Sequence, residues 1–259
     1  MGTADGRVRA LHYPGSHRLL GRTTLLHRRS ECGGAEVNSL WNSLQGGLVV
    51  SCQAPNGSPL RNSDTIARIA SAAELGGAVG LRINGREDVA AARRHTSLPI
   101  IGLHKTVGPR RNLITPRADL AAGLLEAGAD IVAVEATEEM LGEDWELIQE
   151  IADLGTPVMA DVSTLSEGLR AAKLGADLIG TTLSGYTPYS RLQDPPDIEL
   201  VADLSRAGLR VVAEGRYRTP ADVARAFDAG AGFVVVGGAI TDPISLTQRF
   251  AAAARRPGT

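Results

Sequence analysis

From Leu48 onward the chain repeats one pattern: a short aliphatic run, a polar residue or glycine, a loop, and an amphipathic segment closing on glycine. The runs are Leu48 to Gln53, Ala78 to Ile83, Pro99 to Lys105, Asp130 to Ala136, Pro157 to Val162, Leu178 to Leu183, Arg210 to Gly215 and Phe233 to Gly238. Each is nearly continuous in hydrophobicity and rich in small or β-branched residues, as a parallel strand covered on both faces must be. Between them apolar positions recur with helical spacing, as at Ile66, Ile69, Ala70 and Ala73, or Leu120, Leu124 and Leu125. The joints Leu75-Gly76-Gly77-Ala78, Ala127-Gly128-Ala129-Asp130, Leu174-Gly175-Ala176-Asp177 and Ala229-Gly230-Ala231-Gly232 read as helix stops, because glycine accepts the left-handed conformation that ends a helix. Helix starts are marked by Asn62-Ser63-Asp64 and by Thr219-Pro220 and Asp242-Pro243, each of the last two placing a capping residue before proline.

Eight strand–helix units in about 210 residues predict a single (β/α)8 TIM barrel of the α/β class. A doubly wound sheet would carry a glycine-rich dinucleotide turn after its first strand, and Gln53-Ala54-Pro55-Asn56-Gly57 is not one. Residues 1–36 differ from the rest, with six arginines, three of the five histidines and no sustained apolar period. Asp5, Glu31 and Glu36 weaken an organellar presequence, so the composition predicts a disordered leader, with the genuine start near Val37 and a catalytic barrel over 37–259.

Composition narrows the partners. Only 3% of residues are aromatic and the net charge is −2, which leaves neither stacking platforms nor a basic excess for nucleic acid. No apolar run approaches the roughly 20 residues of a bilayer span and no signal-type apolar stretch opens the chain, so a cytoplasmic location is expected. Cys32 and Cys52 form no ligand spacing, and no metal is expected. Small molecules are the default partner, with a homodimer open as an assembly. Lysine occurs twice only, at Lys105 and Lys173, against 27 basic residues in total, so a lysine at a strand end invites a chemical explanation.

Barrel chemistry sits at the C-terminal ends of the strands. Those positions hold Gln53, Arg82, Lys105, Glu135, Asp161, Thr181, Thr182, Glu214, Arg216, Gly237 and Gly238. Period-two alternation pairs Leu103 with Lys105, Met159 with Asp161, and Val212 with Glu214 and Arg216 on common faces. If those faces point inward, one lysine, two carboxylates and two arginines share a pocket. A neutral Lys105 would remove a carbon-bound proton or form a Schiff base, and Arg82 nearby would lower its pKa toward that use. Glu214 and Asp161 read either as acid/base groups or as ion-pair partners of Arg82 or Arg216. Gly237-Gly238 before a helix offers backbone N–H groups to a phosphate. His104 points away by alternation and reads as packing.

At these residues the chain resembles the N-acetylmannosamine-6-phosphate 2-epimerase family. The matching stretches are Leu48 to Gln53, Gly77 to Gly80 with Arg82, Pro99 to Gly102 leading to Lys105, Met159-Ala160-Asp161, the specific string Ile179 to Thr187, and Ala213-Glu214-Gly215-Arg216. The resemblance implies a cofactor-independent epimerase of amino-sugar and sialic acid breakdown that inverts C2 of N-acetylmannosamine 6-phosphate. It implies Lys105 as the residue that removes and returns the C2 proton and Glu214 as its acid/base or ring-opening partner. Gln53, Arg82, Asp161, Thr181, Thr182 and Arg216 would position substrate, and Gly215, Gly237 and Gly238 would hold the phosphate. The chain departs from the family pattern at three places. Lys105-Thr106-Val107 stands for Lys-Arg-Asp, Glu135 for an aspartate, and Asp242 for an arginine suited to phosphate, where a carboxylate either repels the ligand or only caps the helix. A Schiff-base lyase of aldolase type and a non-catalytic sugar-phosphate sensor are the competing readings.

Overall fold

The computed structural model describes residues 34–254, so residues 1–33 of the predicted leader lie outside the described residues. The described chain opens in helix α1 (Gly34–Leu44), which takes in the leader's last three positions and buries Val37 and Leu44. Eight parallel strands follow: β1 (Leu48–Cys52), β2 (Gly80–Asn84), β3 (Ile100–Leu103), β6 (Ile131–Glu135), β7 (Val158–Asp161), β8 (Leu178–Gly180), β9 (Val211–Glu214) and β10 (Phe233–Val236). They close into a barrel in the order β1-β10-β9-β8-β7-β6-β3-β2, which is a (β/α)8 barrel. The two strands numbered between β3 and β6, β4 (Lys105–Val107) and β5 (Asn112–Ile114), form a separate antiparallel hairpin.

The helices are α2 (Ser63–Leu75), α3 (Arg86–Arg93), α4 (Ala118–Glu126), α5 (Glu138–Leu141), α6 (Glu146–Ala152), α7 (Leu165–Lys173), α8 (Ile198–Arg206), α9 (Pro220–Asp228), α10 (Gly238–Thr241) and α11 (Pro243–Ala254). Their starts follow the expected chemistry. Asn62 Oδ1 accepts the N–H groups of Asp64 and Thr65, and Thr219 forms a capping box with Asp222 ahead of Pro220. Asp242 Oδ1 accepts the N–H groups of Ile244 and Ser245 at 3.1 and 3.2 Å.

Two apolar layers follow from the strand alternation. One packs strands against helices through residues such as Leu81, Ile83, Val132, Val134 and Val234. The other fills the barrel with Val49, Ile101, Leu103, Ile131, Ala133, Met159, Val212, Phe233 and Val235, and Leu44 of α1 joins it. Ile101, Leu103, Ile131 and Phe233 are wholly buried, each contributing about 1.5–3 kcal/mol by its removal from water. The apolar filling leaves the opposite end of the interior to polar side chains. The last helix differs: α11 buries none of its residues, and Phe250 is exposed. Among the described residues no helix is long and apolar enough to cross a membrane.

The sequence run Pro99 to Lys105 is longer than the strand it contains. β3 stops at Leu103 because the next two N–H groups leave the ladder, His104 donating to Thr115 Oγ1 at 3.0 Å and Lys105 to Asn84 Oδ1 at 2.8 Å. Lys105 therefore starts the hairpin instead of ending a barrel strand.

Candidate active site

The inward parity of each strand sets what reaches the mouth. From β2 it is Arg82, from β7 Asp161 beyond Met159, and from β9 Glu214 beyond Val212. Arg82 is the largest of the fully buried side chains. Its guanidinium forks onto Asp161, with Nη2 to Oδ2 at 2.5 Å and Nη1 to Oδ1 at 3.2 Å, while Nη1 also meets Glu214 Oε2 at 2.5 Å. Glu214 therefore pairs with Arg82 and not with Arg216. The Thr182 hydroxyl lies 2.6 Å from Asp161 Oδ1 and 3.1 Å from Glu214 Oε2 and gives its single proton to one of them at a time. β8 must be glycine where it passes this carboxylate, since a Cβ on Gly180 would lie 2.9 Å from Asp161 Oδ1 and 2.5 Å from the Met159 methyl.

A cavity of about 860 Å³ opens above the cluster, within the range of small-molecule sites. Gln53, Arg82, Lys105, Thr182, Glu214, Gly215, Arg216, Gly237 and Gly238 all line it. Asp161 lies beneath as the partner of Arg82. Gln53 donates from Nε2 to Ser51 Oγ at 2.8 Å and leaves Oε1 buried with no partner among the described residues.

Electrostatics separate the two groups suited to proton transfer. Lys105 forms no ion pair among the described residues and is held below the ordinary lysine value, first by lost hydration and then by the charge of Arg82, with Glu214 and Asp161 opposing. Burial pushes Glu214 up to about 7 with Asp161 adding to it, against the pull of Arg82, the Thr182 hydrogen bond and Lys105. A lysine easier to deprotonate beside a carboxyl that keeps its proton near neutrality is a matched base and acid.

Thr181 is the one expected contact that the strand parity turns away. It is buried, donates its hydroxyl to the Glu214 carbonyl at 2.9 Å and accepts the Glu214 N–H at 3.1 Å, so it fixes the backbone of β9. Arg216 reaches the mouth by a turn in place of strand alternation: Gly215 has φ 109° and Arg216 itself φ 62°, a conformation that costs a non-glycine residue of order 1–3 kcal/mol. Its Nη1 donates to the Ser184 carbonyl at 2.7 Å, and its guanidinium lies 5.2 Å over the Tyr186 ring. Gly185 admits this approach, because a Cβ there would stand 2.4 Å from Nη1.

The departures from the family pattern take definite form. Glu135 does not enter the mouth freely; it is wholly buried and gripped by Arg111 Nη2 at 2.5 Å and Nη1 at 2.9 Å. Arg111 lies in the turn between β4 and β5. Asp242 caps α11, and its Oδ2 also accepts the Ser245 hydroxyl at 2.7 Å. Sequence reasoning missed Arg111, Tyr186 and Arg249 among the lining residues. Ser245, Gln248, Arg249 and Ala252 all line the cavity at helical spacing, a face that periodicity could have found. No sequence signal marked Arg111.

Comparison with known proteins gives the family. A family model described as "Putative N-acetylmannosamine-6-phosphate epimerase" matches residues 66–256. A Caldanaerobacter subterraneus protein named "Putative N-acetylmannosamine-6-phosphate 2-epimerase" is 46% identical over 215 residues, 80% of this chain and 90% of that protein. A Cutibacterium acnes protein of the same name is 45% identical over 220 residues, 82% of this chain and 96% of its own. The solved N-acetylmannosamine-6-phosphate 2-epimerase from Clostridium perfringens superposes with a TM-score of 0.78 at 35% identity, covering 95% of this chain and all of that one. A thiamine phosphate pyrophosphorylase from Pyrococcus furiosus, 18% identical with a TM-score of 0.54, shares the fold alone. With matches of this extent, the chain belongs to the N-acetylmannosamine-6-phosphate 2-epimerase family.

Proposed function

We propose that the protein interconverts N-acetylmannosamine 6-phosphate and N-acetylglucosamine 6-phosphate without a cofactor, by proton transfer at Lys105. The observation that carries the reading is a lysine free of ion pairs within the field of the buried Arg82, Asp161 and Glu214, at the mouth of one barrel.

The C2 hydrogen is acidic only while C1 is an aldehyde, so the ring opens first. Glu214 hands its proton to the ring oxygen as the C1–O5 bond breaks, and the C1 hydroxyl releases its own proton to solvent in the mouth. Neutral Lys105 Nζ then takes the C2 proton. The C–H electron pair moves into a C1–C2 double bond and the charge passes to O1, where the fixed guanidinium of Arg82 stabilises it. Return of a proton from Nζ to the other face of C2 gives the epimeric aldehyde, which one base achieves when the planar intermediate turns about its C2–C3 bond; as O5 closes again on C1 its proton goes back to Glu214 and O1 takes one from solvent.

Gln53 Oε1 suits a substrate hydroxyl or amide N–H, and Thr182 bridges the two carboxylates. The phosphate fits the Gly237-Gly238 turn, where the first N–H groups of α10 lack carbonyl partners in their own helix, with Gly215 and Arg216 beside it at the end of the neighbouring strand β9. Asp242, committed to α11, leaves that turn to the anion. Incubation of the protein with N-acetylmannosamine 6-phosphate in D2O tests the reading. Deuterium is expected at C2 of both sugars. Full conversion with none incorporated would overturn proton transfer at C2.

A further inference from the structure

Lys105 rides on a hairpin, and that hairpin is held by a second charged cluster which the chemistry above leaves unused. β4 and β5 pair antiparallel, with Lys105 opposite Ile114 and Val107 opposite Asn112. On the lysine's own strand, the tie to the barrel is the Lys105 N–H donated to Asn84. The opposite strand is anchored on β6. Thr115, fully buried with φ 47°, donates to the Ala133 carbonyl at 2.7 Å, and the Ile114 N–H reaches Glu135 Oε2 at 3.3 Å. Onto the same carboxylate Arg111 closes a two-pronged fork, and the Thr137 hydroxyl adds a bond at 2.7 Å. Arg111 Nη2 also meets Glu139 Oε2 at 3.3 Å, and Arg110 bonds Oε1 of that residue.

Glu135 thus binds the residue directly opposite the lysine and the arginine three positions before it. A bidentate guanidinium–carboxylate pair fixes both partners in plane, which a single contact does not. The hairpin tip offers little holding power of its own, since Val107 is 85% exposed.

We infer that Arg111 and Glu135 are positioning residues for Lys105: their clamp holds the hairpin at the height where Nζ meets the C2 hydrogen within the field of Arg82. The inference rests on Lys105 being the base. Lys105 is exposed at the mouth; with the clamp opened it moves away from the charge of Arg82, so its pKa rises toward the ordinary value. Arg82, Glu214 and Asp161 are the charges that act on it; Asp161 neighbours Glu135 across the β6–β7 ladder, but its side chain bonds Arg82 and Thr182 while that of Glu135 bonds Arg111 and Thr137.

The test measures kcat, KM and the pH profile of kcat for Arg111→Gln, Arg111→Lys and Glu135→Gln beside Lys105→Ala. A displacement near 1 Å costs about 10²-fold, so kcat is expected to fall by that order in Arg111→Gln while KM changes less than about threefold. The rising limb of the profile should move to higher pH, and Arg111→Lys, which keeps charge but not the fork, should not rescue it. A merely structural role would lower the melting temperature and leave the limb in place, and that result overturns the inference. If a single variant fails to fold, Arg111→Met/Glu135→Leu removes both charges together, which packed interiors tolerate, and it should show the same displaced limb. Inactive Lys105→Ala with parent-like Arg111 variants overturns the clamp alone, whereas a fully active Lys105→Ala overturns the base on which it rests.

Discussion

Replacing Glu214 by glutamine tests the electrostatic core of the site through stability, independently of any assay of turnover. The carboxyl is pushed from 4.5 up to about 7, chiefly by burial. Between those values the folded protein holds a proton that the unfolded chain has released, so stability falls as pH rises through the folded pKa. A shift of that size corresponds to about 3 kcal/mol of stability present below pH 4.5 and lost above pH 7. The side chain is 14% exposed, so solvent screening removes only a small part of it. Glutamine keeps the shape and cannot ionise. Urea unfolding of parent and Glu214→Gln at pH 5 and pH 8 reads this ionisation together with the response of Lys105 and Asp161, the titratable neighbours coupled to it. The variant should gain about 2–3 kcal/mol on the parent between the two conditions. A parent-to-variant difference that stays constant with pH would refute the raised pKa, and with it the assignment of Glu214 as a proton donor near neutrality. The same ionisation should appear near 7 in the pH profile of kcat/KM and vanish in the variant.

Lys105→Ala should lose about 10²–10⁴-fold in kcat with little change in melting temperature, because the side chain makes no ion pair among the described residues; near-parental turnover would remove it from the mechanism. Borohydride added during turnover should leave the parent active and its mass unchanged, whereas a reduced adduct on Lys105 would favour a Schiff-base lyase. Asp242→Ala should cost about 1 kcal/mol of capping energy, read as faster amide exchange in α11 with the global melting temperature hardly moved, since that helix buries nothing. Calorimetry should show the parent binding the 6-phosphate more tightly than the unphosphorylated sugar, and the reverse order would overturn the substrate assignment.

The barrel was legible because its evidence is periodic. Each of the eight aliphatic runs contains a strand, to within one residue at the end of β2, and the joints at Gly77, Gly128, Gly175 and Gly230 all show positive φ. Most of the mouth was legible for the same reason, since counting by twos from Val212 or Met159 leads to Glu214 and Asp161. The same count explains Thr181: one step out of phase with Gly180 and Thr182, it faces the ladder. Where the chain leaves the strand, counting fails. Lys105 was singled out by its rarity and by a count from Leu103 along a strand that in fact stops there, and Arg111 sits in a segment without a period, where only the fold reveals that β5 returns past the end of β6. Arg216 is reached through two consecutive positive φ values, which the residue after Gly215 did not announce.

The departures from the family pattern fall on one side of this division. Arg82, Asp161 and Glu214 stand on strands whose register is fixed by neighbours on both sides, so changing one would strand a charge in a largely buried cluster. Thr106, Val107 and Asp242 belong to a hairpin and a helix start, where backbone can move to meet a new side chain. Glu135 belongs to both classes. It ends a barrel strand, yet its partners are on the hairpin, so a longer carboxylate there is accommodated by a guanidinium that the loop brings to it. In the proposed mechanism the acid and the guanidinium that stabilises the enolate thus stand on the rigid part of the molecule. The proposed base and the proposed phosphate turn stand on parts that can be retuned without disturbing that cluster.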